Sequence, residues 1–368
     1  MTEIDRRSLL AGLAGLALAP HRAAAAAGGY ASAQFDRQGA SLTVLGAGGA
    51  PRADAALPDR GHGLAQSPDG RLLVVVARRP GRWALVAAAD DLRPIARLTL
   101  PADRHFYGHG CFSADGAVFF TTENDTDGGE GVIGLWDVRR GFARLGERRS
   151  GGVGPHDLAL LPDGRHLVVA NGGIRTHPDS GRDILDREAM HPTLALLAVE
   201  RDEIVAQADL GAELRASSIR HLAVAPDGEV VFGCQFEGEA GVMPPLVGSW
   251  RPRRPADAPR LWEMPDPALA RLRDYVGSVA LDRAGRFVAA TSPRGGTTAF
   301  FERGSGRFVG LADLPDVCGV AAAGDGFLLT SGAVGVRRSG APAARTDLAD
   351  PDPGLARRSW DNHLLALA

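Results

Sequence analysis

Short apolar runs separated by polar turns fill the chain from about residue 30 to its end. The recurring unit is an apolar run, an Asp-Gly pair and a second apolar run. Leu64-Ala65-Gln66-Ser67-Pro68-Asp69-Gly70-Arg71-Leu72-Leu73-Val74-Val75-Val76 shows it, and so do Leu158 to Ala170 around Asp163-Gly164 and Leu222 to Gly233 around Asp227-Gly228. Val279 to Ala290 is a degenerate copy with Ala284 in place of the Asp, and Val320 to Thr330 turns at Asp325-Gly326. An Asp-Gly pair between two runs of strand length is a hairpin signal. One or two further strands follow each hairpin, such as Gly131 to Asp137 and Thr193 to Val199. Helical periodicity is confined to Pro267–Asp274 and part of Asp183–Met190.

Four copies carry a histidine at the same step. His62, His109, His156 and His221 precede their turn Asp by six or seven residues. The anchors are 47 residues apart (62 to 109), then 47 (109 to 156), 65 (156 to 221), 57 (221 to Ser278) and 40 (278 to Cys318). A four-stranded blade needs about 40–50 residues. The longer intervals hold insertions at about 172–192 and 239–274. Six blades are countable, and Trp360 to Leu367 starts a seventh that ends after one strand. Strand-like segments between Tyr30 and Asp59 supply its missing strands, and pairing the two ends removes an exposed sheet edge. The expected fold is all-β: a seven-bladed β-propeller forming a single domain over residues 29–368.

In such a ring the seven entry positions are His62, His109, His156, His221, Ser278, Cys318 and His363. Successive strand residues point to opposite faces. The mixed six- and seven-residue spacing therefore means either that the entries carry bulges or that only two or three histidines face the channel. A second polar set follows the second strand of each blade: Glu123-Asn124-Asp125, Asn171-Gly172-Gly173, Gln235-Phe236-Glu237, and Arg294 in Ser292-Pro293-Arg294-Gly295-Gly296. The first insertion adds Arg175 and His177, and Arg220 adjoins His221. One rim is expected to gather all of these.

Composition narrows the chemistry. The formal net charge is -3, so no basic footprint points to nucleic acid. All 41 basic residues are Arg, which removes Schiff-base chemistry and any phosphate-loop lysine. No stretch reaches the roughly 18 apolar residues of a membrane span. Residues 1–28 read as a cleaved twin-arginine signal, with Arg6-Arg7, the apolar run Ala11–Ala19 and small residues at Ala23–Ala27. That predicts a folded protein exported to the periplasm. Cys111, Cys234 and Cys318 lie in or beside apolar strands and read as buried free thiols.

Imidazoles suit iron, copper and zinc, with affinity ordered toward copper, and bind metal only when neutral. The expectation is a transition metal, iron or copper, or its complex. His109, His156 and His221 are the first candidates, then His62 and His363, with Glu123 and Asn171 as hard ligands or outer partners. Two alternatives stand beside this. One is a propeller enzyme using the same rim, either an oxidoreductase or a lactonase-like hydrolase holding calcium through Glu123, Asn124, Asp125 and Asn171. The other is a non-catalytic docking platform. No G-x-S-x-G, H-E-x-x-H or C-x-x-C-H occurs.

Taken together, Gly108-His109-Gly110, Thr122-Glu123-Asn124-Asp125, Gly154-Pro155-His156-Asp157-Leu158, Val169 to Pro178, Ser218-Ile219-Arg220-His221-Leu222-Ala223, Tyr275 to Ala280 and Thr291 to Gly296 resemble one bacterial family, the domain of unknown function 1513. Asp183-Ile184-Leu185-Asp186 departs from the family's usual stretch. The resemblance implies a periplasmic propeller similar in fold to quinoprotein amine dehydrogenase β-chains, encoded with iron-uptake genes near imelysin-like and di-haem peroxidase-like proteins. It implies no activity.

Overall fold

The computed structural model describes residues 28–37, 39–181, 183–252, 258–340, 346–348, 355 and 358–368. The expected signal segment lies outside them, Gly28 excepted.

The repeated turns build the hairpins as their residues require. In the first blade Gly70 takes φ +74°, a conformation that glycine adopts without steric cost. Its N–H donates to the Ser67 carbonyl at 2.8 Å. Ser67 Oγ donates to Asp69 at 2.6 Å and accepts from the Leu72 N–H at 2.9 Å. Ser113, Asp115 and Gly116 repeat the arrangement in the second blade. In the degenerate copy the carboxylate has moved rather than vanished. Asp282 stands at the serine's position and accepts from the N–H groups of Arg286 and Phe287.

The strands form seven sheets, six four-stranded and one five-stranded. From the axis outward, blade 1 is Gly61–Gln66, Leu72–Ala77, Trp83–Ala88 and Pro94–Thr99, and blades 2 to 6 continue in the same order. Their inner strands are Arg104–Phe112, Pro155–Leu160, Ser217–Val224, Ser278–Leu281 and Val317–Ala323. Blade 7 joins the ends of the chain. Ser359–Trp360 and Leu365–Leu367 pair with Gly29–Asp36, followed outward by Gly39–Gly46 and Pro51–Ala56. Each inner strand contacts the next around the ring, and Leu365–Leu367 contacts those of blades 6 and 1. The fold is a seven-bladed β-propeller.

The core lies between blades, and period-2 alternation assigns each strand two apolar faces. On Leu72–Ala77, Leu73 and Val75 pack with Ala31, Leu42 and Val44 of blade 7. Val74 and Val76 pack with Phe106, Phe119 and Trp136 of blade 2. Burying each large side chain of this kind stabilises by about 1.5–3 kcal/mol. Helical structure is slight among the described residues. Asp266–Leu269 and a 3-10 turn at Ala270–Leu272 fall in the second insertion, and 3-10 turns at Pro178–Ser180 and Arg187–Ala189 in the first. No helix of the described residues is long and apolar enough to cross a membrane. The three cysteines are free, with Cys234 and Cys318 buried and Cys111 partly so.

Candidate functional site

Bulges resolve the mixed histidine spacing. Inner-strand pairing slips between Gly61 and Leu64, Phe106 and Gly110, Pro155 and Asp157, and Ile219 and His221. Histidines 62, 109 and 156 lie inside their slips. In blade 4 the extra residue is Arg220, and His221 resumes the pairing. A bulge re-aims a side chain, so anchors of either spacing turn to the axis, where His363 joins them from the C-terminal end.

The five imidazoles form one packed cluster. Ring centroids lie 4.5 Å apart for His62–His363 and His109–His363, 4.8 Å for His156–His221 and 4.9 Å for His221–His363. Two triads, His62–His109–His156 and His109–His221–His363, each bring one ligating atom per residue within 4.8 Å of one another. The close approach depends on glycine. A Cβ on Gly63 would lie 2.9 Å from His109 Nδ1, and one on Gly108, at φ +116°, 2.6 Å from His62 Cδ2.

Carboxylates orient two of the rings. His62 Nδ1 is 2.8 Å from Asp361 Oδ1, and His109 Nδ1 is 3.1 Å from Asp157 Oδ1. Asp361 is buried and also accepts from Arg60 Nε at 2.6 Å and from the Asn362 N–H at 2.8 Å. Burial works to raise its pKa. The hydrogen bond from His62 and the charges of His62, Arg60 and Arg78 prevail and hold the carboxyl well below the usual range. Asp361 is therefore ionised, His62 Nδ1–H donates to it, and the lone pair of His62 Nε2 faces His363 Nε2 at 3.3 Å.

Burial pulls the pKa of His62 down to about 4, against the pull of Asp361. Burial, then the neighbouring imidazoles, hold His156, His221 and His363 well below the usual histidine range, with Arg220 adding to the effect at the first two and Arg78 at the third. Near neutral pH these rings are uncharged and carry lone pairs. Nε2 of His109 and His156 and both ring nitrogens of His221 are buried with no hydrogen-bond partner among the described residues. Such groups cost about 1–3 kcal/mol each when left unsatisfied.

Openings flank the cluster. A cavity of about 480 Å3 on the Asp-Gly side is lined by Gly63–Gln66, Gly110–Ala114, Leu158–Leu160 and Ser278. A second, of about 490 Å3, lies on the strand-entry side among Arg78, Arg79, Arg187, Arg220, Arg294 and Glu237.

The other expected rim residues divide. Arg220, Gln235, Glu237 and Arg294 line the entry-side cavity. Ser278 is buried at the blade 5 entry, and Cys318 at the blade 6 entry donates its Sγ–H to the Asp316 carbonyl at 3.2 Å. Glu123 does not join the histidines. It is fully buried within blade 2, with two Arg144 nitrogens each 2.9 Å from one of its carboxylate oxygens. Asn171 donates to the Ser150 carbonyl and Thr193 Oγ1, and Asn124 to the Asp125 carbonyl. The expected oxygen-ligand set of Glu123, Asn124, Asp125 and Asn171 is therefore dispersed into structural roles. Asp125 lies 3.0 Å from Arg104 Nη1. Arg175 pairs with Asp186 at 3.4 Å, and half-exposed His177 caps the turn at Pro178.

Sequence reading missed Asp361 and Asp157 as orienting groups, although each stands within two residues of an anchor histidine. It also missed His105, which stacks on Tyr107 with centroids 5.6 Å apart. Neither His105 ring nitrogen has a hydrogen-bond partner among the described residues. Burial and the charges of Arg79, His177 and Arg82 lower its pKa to about 4.

The model of a family described as "Protein of unknown function (DUF1513)" matches residues 55–367. No curated protein matches the chain. Among solved structures, Kuenenia stuttgartiensis hydrazine synthase is similar over 79% of this chain and 86% of its own, with 14% identity and a TM-score of 0.60. The β-propeller domain of Cps50 (Swd1) from Myceliophteria thermophila is similar over 85% of this chain and 94% of its own, with 13% identity and a TM-score of 0.56. At such identity the likeness is one of fold.

Proposed function

We propose, for a chain that belongs to the protein family of unknown function DUF1513, that the axial histidines bind a transition-metal ion, iron or copper, in a protein that handles the metal after export to the periplasm. The observation that carries this reading is the set of buried imidazole nitrogens converging without partners. His62 and His363, whose Nε2 atoms lie 3.3 Å apart, would add two further imidazole nitrogens to the ligand set. The Asp361–His62 and Asp157–His109 pairs resemble the carboxylate–histidine supports of metal sites, which fix the tautomer and raise ligand basicity. In the metal-free cluster the proton between His62 and His363 sits on His363 Nε2. Ligation by that nitrogen would require the His363 proton to reside on Nδ1.

The twin-arginine start supports export in the folded state. The resemblance to a family found with iron-uptake genes supports metal handling and makes the imelysin-like and di-haem peroxidase-like neighbours the first partners to test. Calorimetric titration of metal-free protein with Cu(II) and Fe(II) salts tests the reading. Wild type binds stoichiometrically. Asp361→Asn weakens binding about 10–100-fold, and the triple variant His109→Ala/His156→Ala/His221→Ala abolishes it. Unchanged affinity in the triple variant, with its propeller intact by circular dichroism, overturns the reading.

A further inference from the structure

The entry-side cavity is lined by Arg78, Arg79, Arg187, Arg220 and Arg294, against two carboxylates, Asp183 and Glu237. Glu237 is committed to Arg187 at 3.2 Å and Arg220 at 3.8 Å. Arg78 reaches only the outer oxygen of Asp361, at 3.8 Å. Arg79 and Arg294 form no ion pair among the described residues. Each instead makes a cation–π contact, with Arg79 Cζ over the Tyr107 ring at 5.1 Å and Arg294 Cζ over the Tyr275 ring at 4.8 Å. A guanidinium anchored over a ring and without an ion-pair partner keeps N–H groups for a planar oxygen pair.

The platforms beneath these arginines are themselves fixed. Tyr107 Oη donates to the Ile174 carbonyl at 3.0 Å, and Tyr275 Oη accepts from Asn362 Nδ2 at 2.7 Å. Asn362 is also hydrogen-bonded through its backbone to Asp361, the carboxylate that orients His62. Buried Arg220 adjoins His221 in the blade 4 inner strand. Arg220, beside His221, and Arg78, 3.8 Å from Asp361, place the cup next to the histidine cluster, in a chain whose overall charge is -3. Cations concentrated in one concavity of a weakly anionic protein focus an attractive field for anions there.

We propose that this cup binds a small multivalent oxyanion, a polycarboxylate or a phosphate, beside the axial imidazoles, with Arg79 and Arg294 as the clamps and Arg220 on the side of His221. The proposal rests on the metal reading only for what lies beside the anion, since the cup's charge and cation–π contacts are independent of any metal. A volume of about 490 Å3 admits a small molecule that carries its own oxygen ligands toward the cluster.

The test uses metal-free full-length protein and two probes, citrate and inorganic phosphate, titrated by calorimetry at low and high NaCl. At least one binds one to one, more weakly at high salt. Binding of citrate alone marks a polycarboxylate site, and binding of phosphate extends it to phosphate. Arg79→Gln/Arg294→Gln weakens binding about tenfold or more, and Arg79→Lys/Arg294→Lys recovers only part of it, because an ammonium cannot present a planar fork. The triple histidine variant retains anion binding, so failure of the metal reading leaves this result standing. Absence of binding by both probes, or unchanged affinity in Arg79→Gln/Arg294→Gln, overturns the proposal.

Discussion

Blade 2 and the propeller axis each bury a polar cluster, and the two are finished differently. In blade 2, Glu123 accepts from Thr121 Oγ1 at 2.5 Å and from Arg144, and Trp136 Nε1 donates to Thr121 at 2.9 Å. Arg144 also holds Glu147 at 2.7 Å, and Arg104 reaches the same carboxylate. Charge is matched within the blade. On the axis, carboxylates hold two rings from behind, while Nε2 of His109 and His156 and both ring nitrogens of His221 lack partners among the described residues. Both clusters are built from strongly polar residues in or beside strands, and residue type alone does not separate them. The separation comes from what the chain leaves unsatisfied. A paired buried charge is part of the framework, and a set of convergent unpaired acceptors is prepared for something the chain does not supply.

That contrast breaks most sharply at Arg144. Arg144→Ala strands the Glu123 carboxylate in the blade and is expected to destabilise by about 3–5 kcal/mol in urea denaturation. Metal stoichiometry of the surviving folded protein stays at the wild-type value. A small stability loss, or loss of metal with the fold intact, would remove the distinction between the clusters.

Acid separates the two next. The folded pKa values of His62, His156, His221 and His363 are depressed, whereas an unfolded chain binds those protons near pH 6.5. The unfolded state therefore binds more protons below that pH, and stability falls as pH falls. For His62 the window runs from about 6.5 down to about 4. The melting temperature of metal-free protein should decline across it, and metal affinity with it, because protonated imidazole does not ligate. A flat melting temperature from pH 7 to pH 4.5 would show that the rings are not buried neutral.

The smallest effect is the most diagnostic for the axis. His156→Leu replaces an imidazole whose Nε2 has no partner with an apolar side chain. Its effect on metal-free stability should be near zero or slightly stabilising, within about 1 kcal/mol, while metal affinity drops. Function maintained at the expense of stability takes this form. A loss of several kcal/mol would mark His156 as framework.

The blades were legible because local chemistry repeats. The Asp-Gly turns, the alternation on strands such as Leu72–Ala77 and the spacing of the anchors all report contacts made within one hairpin. Closure of the ring by the two chain ends followed from the unfinished seventh blade. The axial site was legible only in outline. Spacings of six and seven residues read as opposed faces, and only the bulges at Gly61, Phe106, Pro155 and Ile219 reconcile them. Glu123 looked like a rim ligand because its partner, Arg144, lies 21 residues away on the outermost strand of the same blade. Asp361 reaches His62 across nearly the whole chain, a contact that exists only once the ring has closed.

The central claim, that the axial cluster holds a metal, is tested most directly by elemental analysis of protein purified folded from its native cell without chelator. The account predicts iron or copper near one equivalent per chain in wild type and its loss in His109→Ala/His156→Ala/His221→Ala. Folded wild-type protein carrying no stoichiometric metal, or a triple variant carrying as much as wild type, would contradict it.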